Sequence, residues 1–187
     1  IRPGAEGCRV CGWQRPRSLQ SRAEFVDAAC QRGTDRRRGG EMIGSVLMVC
    51  EGNVCRSPVA RVMLQRELPQ LVVSSAGTRA LVGERADPLA MQLASEQGLD
   101  ISDHVATALT REDVCAAELI LSMTQVQREL IVTTYPFARG KVFRLGEHDQ
   151  IDIVDPYRRH RAAFDLAFAQ IEHGISNWRD VIARLAH

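Results

Sequence analysis

A chain of 187 residues, 45% hydrophobic and 25% charged, has the length and balance of one soluble globular domain with a real core. Its formal net charge of +1 gives no electrostatic reason to expect nucleic acid or an anionic membrane surface as partner. The longest apolar run, Val46 to Val49, is far too short to cross a bilayer, so no direct membrane insertion is expected.

The overall charge conceals a division. Residues 1–41 carry nine Arg against five acidic residues, a balance of +4, whereas residues 42–187 come to −3. The first segment is rich in Arg, Gly, Gln and Ser, has few periodic apolar positions, and lacks the apolar stretch of a secretory signal. It reads as a non-native or disordered N-terminal extension, with the working domain at residues 42–187. Without a secretion signal the expected compartment is the reducing cytoplasm, where cysteines persist as thiols. Cys8, Cys11 and Cys30 lie in the extension; Cys50, Cys55 and Cys115 lie in the domain. Cys8 and Cys11 have metal-ligand spacing, but no second pair follows at a usable distance, so no metal and no cofactor is expected.

In the domain, Ser45–Val49 is a short apolar run with β-branched residues, bounded by Gly44 and by Glu51-Gly52-Asn53, and reads as a strand buried on both faces. Ser57-Pro58 opens a helix to about Glu67, with Pro in the first turn where its missing N–H costs nothing. Val59, Val62, Met63 and Leu64 supply its core stripe. Leu71–Ser75 is a second strand, closed by Ala76-Gly77-Thr78. Asp87-Pro88 begins a helix that runs through Gln97 and ends at Gly98. Glu118–Met123 and Lys141–Leu145 are the third and fourth strands, with a helix from Thr124 to Ile131 between them. Phe164 to Leu185 is a long amphipathic pattern, the closing helix. Short, non-alternating strands separated by helices predict an α/β fold, a four-stranded parallel sheet with helices on both faces. Such sheets bind ligands beyond the carboxyl ends of their strands, so chemistry is expected in the loop after the first strand.

That loop reads Cys50-Glu51-Gly52-Asn53-Val54-Cys55-Arg56-Ser57. Short residues curling into a helix start direct backbone N–H groups inward, a phosphate-binding loop for a dianion. Gly52 and Asn53 are residue types that tolerate the positive φ such a curl needs. The same dipoles favour a thiolate at Cys50, making it a nucleophile at neutral pH. Arg56 offers a planar fork matched to two phosphoryl oxygens. Ser57 can donate a hydrogen bond to the sulfur and ease its later departure. A leaving oxygen must also be protonated, and Asp155, in Asp155-Pro156-Tyr157 beyond the fourth strand, would reach the same sheet edge as general acid. An isolated Asp-Pro is by default a turn; its company here argues for more.

Together Val46–Pro58, Ser75-Ala-Gly-Thr78 and Asp155-Pro-Tyr157 resemble the low-molecular-weight protein tyrosine phosphatases, with the motifs in order over about residues 44–185. The resemblance implies a metal-free, two-step hydrolysis of phosphotyrosine with Cys50, Arg56 and Asp155 in those roles. It implies that Asn53, Ser57, Ser75 and His104 form a polar network shaping the loop, and that Tyr157 and Leu81 wall the pocket for the ring. It further implies that Cys55 can pair reversibly with Cys50 under oxidation. Glu51 is expected at the rim, pointing outward, and Thr124 stands where many relatives carry an acidic residue. Ala80–Gly83, Asp155–Arg159 and the closing helix resemble bacterial members that accompany exopolysaccharide export. Those act on the tyrosine-rich tail of a membrane-associated autokinase, which Arg158, Arg159 and Arg161 could meet. Rival readings are an arsenate reductase, which needs more cysteines than Cys55 and Cys115 provide, and a phosphoarginine-specific relative, which tends to carry Thr where Val54 stands. Beyond these stand a phosphate-binding regulatory module without catalysis and, weakest, a zinc-linked nucleic-acid module built on the extension.

Overall fold

The computed structural model describes residues 43–185, so the expectations for residues 1–41, including the Cys8–Cys11 pair, lie outside the described residues. Strand β1 (Ser45–Cys50) is apolar from Val46 onward, and both of its faces are buried there. Val46, Met48 and Cys50 enter one core, and Leu47 and Val49 enter the other. A strand with this composition can only sit inside a sheet covered twice. Accordingly β2 (Val72–Gly77), β3 (Leu119–Ser122) and β4 (Val142–Arg144) assemble around it in the order β2-β1-β3-β4. All pairings are parallel, with Val46 opposite both Val73 and Leu119.

One face of the sheet carries α1 (Arg56–Glu67), α2 (Pro88–Glu96) and α5 (Arg161–Leu185), which pack on one another and on the larger core. Phe164, Phe168, Ile171, Ile175, Trp178 and Ile182 of α5 are all buried, each worth about 1.5–3 kcal/mol relative to exposure. Trp178 Nε1 donates to the carbonyls of Arg144 and Leu145, both at 3.1 Å, which fastens the helix to the end of β4. The second face carries α3 (Arg111–Ala116) and α4 (Gln125–Thr134), and a 3₁₀ turn at Pro136–Ala138 leads from α4 toward β4.

Several expectations need correction. The double burial expected of β1 does not extend to β2, where Val72 and Ser74 are exposed while Val73 is buried. It is an edge strand, and the helices of the second face lie over β1, β3 and β4. The closing helix starts at Arg161 rather than Phe164, because its first residues carry no apolar period to announce it. Helix α3 is absent from the sequence reading. Its six residues are too few for a periodicity, yet Thr110 and Asp113 form a reciprocal capping box that marks its start.

All four strands point their carboxyl ends to one edge, where the loops following them converge. Cys50 lies opposite Gly77 there. A Cβ on Gly77 would stand 2.5 Å from the carbonyl oxygen of Glu51, so only glycine lets the two loops approach this closely.

Candidate active site

β1 ends at Cys50, and the chain curls through residues 51–55 before α1 begins at Arg56. The curl is held from outside. The carbonyls of Cys50, Glu51 and Gly52 accept the backbone N–H groups of Thr78, Arg79 and Leu81 at 2.9, 2.9 and 3.0 Å, and Val54 accepts that of Asp87 at 2.9 Å. The carbonyl between them, of Asn53, accepts Nε2–H of His104 at 2.7 Å. A trans peptide sets its N–H opposite its C=O. Five successive carbonyls turned outward therefore turn the N–H groups that follow them into the loop. Asn53 N–H shows the result, donating to Cys50 Sγ at 3.2 Å. Such a nest of N–H dipoles suits an anion and favours a thiolate.

Asn53 is the hub. Its φ is 57°, in the left-handed region. Its Nδ2 donates to Ser57 Oγ at 2.9 Å and Ser75 Oγ at 3.1 Å, and its Oδ1 accepts Thr107 N–H at 2.8 Å. Gly52 does not share the positive φ anticipated for it; a Cβ there would find only ordinary contacts with Val54 and Leu81. Ser57 Oγ accepts from Asn53, which leaves its own hydroxyl proton for Cys50 Sγ, 2.9 Å away. His104 is buried; burial holds its imidazole below the usual value, Arg61 adds to that, and the bond to Asn53 opposes it in part. It is thus a neutral donor that braces the loop.

Replacing Asn53 by Ala is expected to destabilise the protein by about 3 kcal/mol, from the left-handed cost for a Cβ residue plus buried partners left unsatisfied. Asn53→Gly keeps the backbone and loses only the side-chain bonds, so it should cost about 1 kcal/mol less. Denaturant midpoints at unchanged m-value separate the two; equal losses would remove the backbone argument.

Arg56 is buried, with Nη2 2.5 Å from Asp155 Oδ2 and Nη1 3.3 Å from the Ile153 carbonyl. Asp155 Oδ1 accepts the Tyr157 N–H at 3.2 Å, which fixes the turn through Pro156. Cys50, Arg56 and Asp155 border one cavity of about 210 Å³, with Leu81 and Tyr157 also in its wall. Val54 and Cys55 are buried in its lining. Burial, and after it the nearby Asp87, push the Cys55 thiol far up, so it stays protonated. Glu51 is exposed at the rim, 3.7 Å from Arg79.

Some participants left no mark in the residue types. Thr78, Arg79, Leu81 and Asp87 hold the loop through backbone N–H groups, which any residue but proline could supply. Thr107 does the same for Asn53. Arg161 is not free for a substrate: it is paired with both carboxylate oxygens of Glu96, at 3.1 and 2.5 Å. Arg158 lies over the Tyr157 ring, 5.1 Å from its centroid. Among the described residues no His, Cys, Asp or Glu side chains gather as a metal would need, and no helix is long and apolar enough to cross a membrane.

Residues 45–186 match the family described as low molecular weight phosphotyrosine protein phosphatase. The probable low molecular weight protein-tyrosine-phosphatase EpsP of Ralstonia nicotianae is 46% identical over 137 residues, 73% of this chain and 94% of that protein. The low molecular weight protein-tyrosine-phosphatase Wzb of Escherichia coli K12 is 39% identical over 142 residues, 75% of this chain and 97% of its own length. The crystal structure of the tyrosine phosphatase AmsI of Erwinia amylovora superposes with a TM-score of 0.73 at 37% identity, covering 76% of this chain and 95% of that one. With motif, sheet and family match in agreement, the chain belongs to the low molecular weight protein-tyrosine phosphatases.

Proposed function

We propose that the chain hydrolyses phosphotyrosine through a phosphocysteine intermediate, with Cys50 as nucleophile, Arg56 as phosphate clamp and Asp155 as acid and then base. The observation that carries this reading is the loop of outward carbonyls around Cys50 Sγ. In the first step the thiolate forms the S–P bond while the bond from phosphorus to the tyrosine oxygen breaks. Asp155 gives its proton to that oxygen. In the second step water forms the new P–O bond, Asp155 takes its proton, and the S–P bond breaks. The Ser57 hydroxyl receives the returning thiolate. Inward N–H groups and the Arg56 fork stabilise the equatorial oxygens, where charge spreads at each transition state.

The pairing of Arg56 with Asp155 gives substrate binding a second job. A phosphate dianion competes with the carboxylate for the guanidinium, and Asp155, displaced from Arg56 and taking up a proton from solvent, is free to turn to the leaving oxygen.

The substrate we propose is the tyrosine-rich tail of a membrane-associated autokinase in bacterial exopolysaccharide production, met in the cytoplasm. Support comes from the resemblance of residues 80–83 and 155–159 to that subgroup. An arsenate reductase would need a further thiol near the loop. The other described domain cysteine, Cys115, has its carbonyl bonded by Lys141 just before β4, at the opposite edge of the sheet. In reducing buffer the chain should release phosphate from a phosphotyrosine tail peptide and leave phosphoarginine and arsenate unchanged. Release from phosphoarginine alone would overturn the assignment.

A further inference from the structure

We propose that a groove beside the phosphate cavity, walled by Val126 and Leu130, is a subsite for an apolar side chain next to the phosphotyrosine in the substrate. The inference rests on the phosphatase reading above. The groove, of about 290 Å³, shares Glu51, Arg56, Arg79 and Asp155 with the cavity that holds Cys50, so the two adjoin. A peptide whose phosphate is in the first must lay a neighbouring residue along or away from the second.

Helix α4 supplies the apolar wall by reversing the usual order. Gln127 is buried, its Oε1 accepting Met123 N–H at 3.1 Å. Val126 beside it is 72% exposed, and Leu130, one turn on and on the same face, is 44% exposed. Isolated exposed apolar residues are ordinary. Here the eight large exposed hydrophobics of the described residues are not scattered. Four of them, Leu81, Tyr157, Val126 and Leu130, border these two cavities.

The remaining groups in the groove do not call for a charged occupant. Thr124 Oγ1 accepts Gln127 N–H at 3.2 Å and is committed to the helix cap. Arg79 and Glu51 face each other across the rim as opposite charges. A charged neighbour of either sign would meet one attractive and one repulsive partner there, so the pair favours neither sign. An aliphatic side chain covers Val126 and Leu130 and meets neither.

The test uses phosphotyrosine peptides carrying Leu, Ser or Asp at each position flanking the phosphotyrosine. Their kcat/KM values are referred, for each variant, to para-nitrophenyl phosphate, which has no flanks. The wild type should favour Leu over Ser by about tenfold at one flanking position. The double variant Val126→Asp, Leu130→Asp should lose that preference, while its Ser-peptide ratio stays at the wild-type value. Both positions are exposed, and para-nitrophenyl phosphate turnover reports whether the variant is folded. No Leu preference in the wild type, a preference for Asp, or a Leu preference that survives the double variant would overturn the subsite and leave the phosphatase reading standing. A wild type inert toward para-nitrophenyl phosphate as well would overturn both.

Discussion

Cys50→Ser is expected to lower kcat on para-nitrophenyl phosphate by about ten-thousandfold or more, as removal of a nucleophile does in other covalent mechanisms, while phosphate binding persists. The substitution is nearly isosteric at a buried position. The loop around it is held through its backbone, by carbonyl bonds that the change does not touch. The nest therefore survives, and only the nucleophile is altered. A serine hydroxyl there stays protonated at neutral pH, and neither group bonded to this position, the Ser57 hydroxyl or the Asn53 N–H, is a base. Ser57 faces it as a hydroxyl donor, and His104 directs its Nε2–H to Asn53. Steady-state kcat alongside calorimetric titration with inorganic phosphate checks both halves. Activity within a hundredfold of wild type would remove Cys50 from the mechanism.

Asp155→Asn should move two measured quantities in opposite directions. Loss of the proton donor lowers kcat by about a hundredfold to ten-thousandfold, more for phosphotyrosine than for para-nitrophenyl phosphate, whose leaving oxygen needs less help. At the same time inorganic phosphate should inhibit at lower concentration. The wild-type carboxylate lies 2.5 Å from the Arg56 guanidinium and competes with any anion for it; the amide does not. Asn rather than Ala is the informative change, because its side-chain oxygen can still accept the Tyr157 N–H. Weaker phosphate inhibition in the variant would mean that the Arg56–Asp155 pair helps the anion bind instead of opposing it.

Features that write themselves into residue types were legible in advance. β1 shows as an unbroken apolar run because both faces are buried, and α2 shows through Asp87, whose Oδ1 accepts Leu89 N–H at 2.9 Å as a helix cap should. The phosphate loop is legible because Cys50, Asn53, Arg56 and Ser57 are each constrained by side-chain chemistry or, at Asn53, by φ. The Asn53, Ser57, Ser75 and His104 cluster was reachable only through resemblance, since its members lie far apart in sequence. What stayed hidden has a physical reason. The outer hold on the loop comes from backbone N–H groups of residues 78, 79, 81 and 87, which carry no sequence signature. Arg161 looks like a free cation because nothing in the sequence announces that Glu96 is beside it. The burial of Gln127 and exposure of Val126 run against hydropathy, so no periodic pattern would have pointed to the groove.

The outward carbonyls of residues 50–54 also determine when the entropy of ordering the loop is lost. Fixing a backbone costs about 1–2 kcal/mol per residue, so about 5–10 kcal/mol for these five. Because the bonds that fix them come from the rest of the protein, this cost falls on folding, and an arriving phosphate meets a mould already set. Binding energy that a floppy loop would lose to its own ordering remains for the transition state. The same rigidity makes the loop indifferent to what the phosphate is attached to, so discrimination between substrates must come from the softer walls around the mouth.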